Sequence, residues 1–97
     1  MILTLNEVKA HLRLDDDTED AVLTGFIKQA QASAESFCRV SFEEDFTDVP
    51  EPVRLACLLF VAFYFENRDV PDKTLYETMM MAFESLLYPY RDPEQLF

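Results

Sequence analysis

Between Leu55 and Phe65 eleven consecutive residues are apolar or aromatic, about three helical turns, or roughly 16 Å of helix. A helix built from this run has no polar face to turn to water. It must be covered on every side by its own domain, by other chains or by lipid. Spanning a bilayer takes about 17 to 25 such residues, and Arg54 and Glu66 close the run at its two ends. The stretch therefore reads as a buried central helix and a candidate subunit contact, not as a membrane anchor.

Few other elements are available to cover it. Ninety-seven residues make a single domain, 1–97, and a chain of that size buries only somewhat more than ~60% of the surface it exposes when unfolded. Hydrophobic residues are 49% of the chain and Gly25 is its one glycine, which argues against a turn-rich β-sandwich and for helices. Nineteen acidic side chains against eight basic ones give a formal charge of −11. Affinity for a nucleic-acid backbone, which needs cations to displace condensed counterions, is not expected; DNA passing nearby would be repelled. Cys38 and Cys57 lack metal-binding spacing, and Cys57 lies inside the apolar run, so both read as reduced, packed thiols in a reducing compartment. The start, Met-Ile-Leu-Thr-Leu-Asn-Glu, has neither the basic flank nor the apolar length of a signal peptide. The expected site of synthesis and residence is the cytoplasm.

Thr4-Leu5-Asn6-Glu7 has capping-box spacing and predicts a short first helix, with Leu5, Val8 and Leu12 inward and Lys9 and Arg13 toward water. Asp15 to Asp20 superficially resembles a calcium loop. The central Gly and closing Glu of such a loop are missing, with Asp20 and Phe26 in their places. The acids read instead as a helix start capped by Asp17 or Thr18. A long amphipathic second helix follows to about Phe37, burying Val22, Leu23, Phe26, Ile27, Ala30, Ala34 and Phe37, with Glu35 and Arg39 at i, i+4 near its end. From Arg39 to Pro50 apolar and acidic residues alternate, which predicts an ordered acidic loop with a brief strand. Pro52 suits the first turn of the central helix, and Asn67 and Arg68 suit its end. Thr74-Leu75-Tyr76-Glu77 repeats the capping-box spacing and opens a fourth helix, stopped by Pro89. The expectation is an all-α domain of four helices, with an acidic loop between the second and third and a docking tail over 88–97.

Chemistry is sparse. His11 is the single histidine and sits on a short polar-edged helix; no nucleophile has an orienting partner, and no phosphate loop or Cys/His cluster is present. Neither enzymatic activity nor a cofactor or metal is expected. Phe60, Phe63, Tyr64 and Phe65, together with Met79 and Met80, are at once core candidates and candidate subunit-interface residues. Spacing alone does not separate those two roles.

Four segments in register resemble one family. They are Leu3 to Asp15 (Leu-Thr-Leu-Asn-Glu-Val-Lys-Ala-His-Leu-Arg-Leu-Asp), the acidic start of the second helix, Ala56-Cys57-Leu58-Leu59-Phe60 leading to Tyr64-Phe65-Glu66-Asn67-Arg68, and Leu86-Leu87-Tyr88-Pro89-Tyr90-Arg91. Together they look like the small head-tail connector proteins of tailed bacteriophages. The resemblance implies a helical virion protein, made in the host bacterial cytoplasm and placed at the head-tail junction. It implies a homo-oligomeric ring under the portal protein that extends the DNA channel toward a tail-side or head-closure protein, without catalysis and without a membrane. By position, Tyr88, Tyr90, Arg91, Leu96 and Phe97 are then candidates for portal or neighbour docking. Glu43, Glu44, Asp45 and Asp48 are candidates for the channel lumen. The competing expectation is an acidic monomeric or dimeric interaction protein of the DNA-mimic kind.

Overall fold

The computed structural model describes residues 2–68 and 72–91. Thr4 opens α1 (Leu5–Leu12) as its spacing predicts: its Oγ1 accepts the Glu7 amide at 3.1 Å. The Thr4 hydroxyl in turn donates to Glu7 Oε1 at 3.1 Å. The helix ends where Arg13 turns left-handed at φ 60°, which lets Leu14 N–H reach the Lys9 carbonyl at 2.9 Å. Lys9, expected to face water, is only 13% exposed because its ammonium lies between Asp17 Oδ1 at 3.1 Å and Asp20 Oδ1 at 2.9 Å. These carboxylates, Asp20 first, hold the Lys9 pKa above its ordinary value.

That use of Asp17 and Asp20 alters the start of α2 (Asp20–Cys38). Glu19 stands at the N-cap with no side-chain cap bond, while Asp16 accepts the Thr18 amide at 3.1 Å and closes the preceding turn. Along α2, Leu23, Ile27, Ala30, Ala34 and Cys38 are buried as the helical period requires; Val22, expected among them, is exposed. The acidic segment after α2 contains a helical turn where an ordered loop with a brief strand was expected. Ser41 N–H donates to Asp45 Oδ2 at 2.8 Å and Phe42 N–H to Glu35 Oε2 at 2.9 Å, winding one turn, α3 (Phe42–Asp45). Only Phe42 of that turn is buried, so the alternation of apolar and acidic residues marks an anchored turn with three solvated carboxylates.

α4 (Glu51–Glu66) carries the apolar run, with Pro52 in its first turn and Asn67 closing it through Nδ2 to the Phe63 carbonyl at 2.9 Å. Arg68, just beyond, pairs with Glu19 at 2.8 Å and lies over the Phe65 ring. α5 (Lys73–Leu87) is capped by Asp72, whose Oδ1 accepts from Thr74 N at 2.7 Å and Leu75 N at 3.1 Å. The cap thus falls two residues before the expected Thr74 box. A 3-10 turn at Tyr88–Tyr90 follows, Pro89 ending the α-helix. The chain is all-α, with five α-helices and no strand among the described residues.

α4 is the common partner: α1, α2 and α5 all pack on it. Its inner face buries Val53, Ala56, Cys57, Phe60, Val61 and Phe63, with the Phe60 ring 5.3 Å from Phe83 of α5 and 4.7 Å from Tyr64. Arg54 ties the N-terminal segment to this helix, donating to the Ile2 carbonyl at 2.8 Å and pairing with Glu7. Ile2 and Leu3 are buried by that clasp.

Because Phe60 joins two helices, Phe60→Ala is expected to cost about 3–5 kcal/mol, a large share of the roughly 5–15 kcal/mol of a small domain. Leu55→Ala on the outer face of the same helix should change stability by about 0.5 kcal/mol or less; urea unfolding of the two variants reads the difference. Equal losses would mean that Leu55 is as structural as Phe60.

Both thiols are buried and unbridged, and burial raises them from 9.0 to about 11 for Cys38 and to about 12 for Cys57. Near neutral pH, maleimide should therefore label neither in the native protein and both in urea. Across pH 9 to 12 the unfolded chain ionises its thiols first and so binds fewer protons than the folded one. The thiol contribution thus makes stability fall as pH rises through that interval. Fast native labelling at pH 7.5 would contradict the burial.

Candidate interaction surfaces

At about 100° per residue, Leu55, Leu59, Ala62 and Glu66 fall in line on the side of α4 turned away from α2 and α5. Leu55 is 49% exposed and Leu59 and Ala62 are half-buried, flanked by half-buried Leu58 and Phe65. The sequence leads one to expect cover on every side of this helix. The structure leaves this side open, and its dimensions say why. At 42 × 32 × 17 Å the molecule is two helices thick, since packed helix axes lie about 8–10 Å apart. The described residues supply no third layer to close over α4. On α5, the Tyr76 ring lies 6.1 Å from that of buried Phe63, and Leu75 beside it is 54% exposed.

The opposite face holds a groove. α2 and α5 meet at one end, where Cys38 Sγ lies 3.6 Å from the Leu87 carbonyl. Elsewhere α4 fills one side of the valley between them, and the other side is open. One part of the groove, about 450 Å³, is lined by Gln29, Ala32, Ser33, Ser36, Phe37, Met80, Phe83 and Glu84. It runs into a second part of about 380 Å³ where Phe37 and Glu84 are joined by Met81, Ser85, Tyr88 and Arg91. Met81 and Tyr88 are the most exposed large apolar side chains of the described residues, at 70% and 62%. The Arg91 guanidinium lies 4.7 Å above the Phe37 ring and 6.0 Å from Tyr88, in cation-π range. Its Nε–H is buried with no acceptor among the described residues.

The sequence-chosen interface residues divide. Phe60, Phe63 and Met79 lie in the core of the single chain, and Tyr64, Phe65 and Met80 at its edge. Glu43, Glu44, Asp45 and Asp48 are all exposed and adjacent, on α3 and just after it. Tyr88 is exposed, Tyr90 and Arg91 are half-buried, and Leu96 and Phe97 lie outside the described residues. Leu55 and Leu59 lie within the run read from sequence as a candidate subunit contact but were not singled out in it, and the groove side of α2 was not considered. The first two were legible as the face of α4 opposite Phe60. The groove carries no pattern of its own, because Ala32, Ser33 and Ser36 look like any polar helix flank.

Among the described residues no three His, Cys, Asp or Glu side chains converge as metal ligands, and no helix is long and apolar enough to cross a membrane. The fold thus displays two apolar surfaces and an acidic patch as its candidates for function. No curated protein and no solved structure matches the chain. A family model, described as phage gp6-like head-tail connector protein, does match, over residues 2–92. That match takes in every helix described above, from the Thr4 cap through the 3-10 turn, and the chain accordingly belongs to the phage gp6-like head-tail connector family, structural proteins of the virion.

Proposed function

We propose that this chain is a non-catalytic adaptor that assembles as a ring on the portal at the head-tail junction and extends the DNA channel. Membership of the connector family carries the reading, and the open side of α4 supports it. A ring closes by heterologous contacts between unlike faces of identical subunits, and such contacts would cover apolar surface that the monomer leaves in water. The segment from Tyr88 onward would dock on the portal or a neighbouring protein, with Tyr88 exposed at its start.

The charge fits the same arrangement. A formal charge of −11 makes separate copies repel one another, which favours assembly on a template over assembly in free solution. The acids Glu43, Glu44, Asp45 and Asp48 stand clear of the core on a one-turn helix and its loop. Facing the lumen, they would let DNA slide without counterion release or adhesion.

Light scattering with size exclusion, on the protein alone and with the portal of the same phage, tests the assembly. The expected result is a ring, or a complex formed only on the portal, weakened when residues 93–97 are deleted while helicity by circular dichroism is unchanged. A monomer or dimer that ignores the portal would overturn the reading.

The lumen assignment has a separate test, replacement of all four acids by lysine. Particles carrying that variant should release DNA more slowly, and added salt should restore the rate by screening. Unchanged release would move these acids to the outer rim.

A further inference from the structure

The two unpartnered surfaces lie on opposite faces of a slab 17 Å thick. Phe83 lines the groove on one side and touches Phe60 of α4 on the other, 5.3 Å between ring centroids. From Phe60 the helical period carries the chain about 100° or more round α4 to Leu59 and Leu55, on the far face. A two-fold pairing of either surface with itself would leave the other in water. One pairing covers both: the α4 stripe of one copy laid into the α2–α5 groove of the next.

We infer that Leu55, Leu59 and Ala62 of one subunit dock against Ala32, Ser36, Phe37 and Met81 of its neighbour, and that this head-to-tail contact is the repeating interface of the ring proposed above, on which the inference rests. The small side chains Ala32, Ser33 and Ser36 give the α2 flank of the groove little relief. A second helix can therefore approach closely there, as ridges entering a groove require. Charge supports the pairing at one end of the groove, where Arg91 lies. The stripe ends in carboxylates at both ends, Glu51 and Glu66, both exposed. The groove holds Arg91 beside Glu84, and the buried Arg91 Nε–H lacks an acceptor among the described residues. A glutamate carried in at the end of the stripe would supply one, and a charge-assisted hydrogen bond is stronger than a neutral one. Flexible Met80 and Met81 can adjust to the incoming leucines.

The contact is tested by cross-linking the full-length protein assembled on its portal with a short bifunctional maleimide. The native thiols are buried and slow to react, so introduced cysteines report alone. Three variants are compared: Leu55→Cys, a groove variant with Ser36→Cys or Ala32→Cys, and the double variant combining one change from each face. The expected result is a ladder of covalent oligomers from the double variant and only monomer from each single one. Dimers from Leu55→Cys alone would show that stripe meets stripe and would overturn the inference. Rings sized by light scattering but without a ladder from the double variant would overturn this interface and leave the ring standing. Absence of any oligomer, with or without portal, would overturn both.

Discussion

A helix with no polar face must be covered, and a 97-residue chain cannot cover it completely. Most of this fold follows from that conflict. α4 draws α2 and α5 onto its inner side and the N-terminal segment with α1 onto a third, and among the described residues no element remains for the fourth. The ring cluster of Phe60, Tyr64 and Phe83 fixes the distance between layers. The Arg54 clasp on Ile2 and Glu7 fixes the position of α1. Because Arg54 is three-tenths exposed, its ion pairs contribute modestly by themselves. Their main effect is to hold Ile2 and Leu3 where burial of apolar area supplies the stabilisation.

Polar residues do local work around this core, and carboxylates do most of it. Asp16 closes a turn, Asp17 and Asp20 hold Lys9, Asp45 and Glu35 wind α3, and Asp72 caps α5. A sequence this acidic can therefore be read too quickly as a surface field. Part of its charge is committed to helix ends, where a carboxylate satisfies amides that have no intrahelical partner. The acids left for long-range effects are those that no helix end uses, and Glu44 and Asp48 stand among them on the exposed side of α3 and its loop.

What could be read from sequence divides along the same line. Helix identity was legible because the apolar pattern reports burial, and burial decides these elements: α2 and α5 lie where apolar residues repeat at three and four, and α4 where an unbroken apolar run is closed by Arg54 and Glu66. The caps of α2 and α5 were misplaced by a few residues because several acids and threonines compete at each start, and the winner depends on partners distant in sequence. Lys9, for example, takes Asp17 and Asp20 out of contention. The one-turn helix at Phe42 was hidden for a related reason, since its amide is satisfied by Glu35 seven residues earlier. The exposed apolar surfaces were harder still. Aromatic size pointed to Phe60 and Phe63, yet size is what the core selects first. The surfaces that remain for a partner are lined by smaller residues, Leu55, Leu59 and Ala62 on one face and Ala32, Ser33 and Ser36 on the other.

Under the proposed ring assembly, that division suits a subunit that exists alone before it assembles. An exposed stripe of two leucines and an alanine, ended by Glu51 and Glu66, is small beside the apolar patches that make monomers aggregate, and it sits on a molecule whose net charge opposes chance encounters. Had Phe60 or Phe63 faced outward, the free subunit would expose a far stronger adhesive and lose the centre of its own core. Keeping the aromatic rings inside and leaving aliphatic residues at the surface separates the two tasks: folding is completed within one chain, and in the proposed assembly the weaker surface would become sufficient once a template held neighbouring copies side by side, because the translational entropy of association would then have been met by the template.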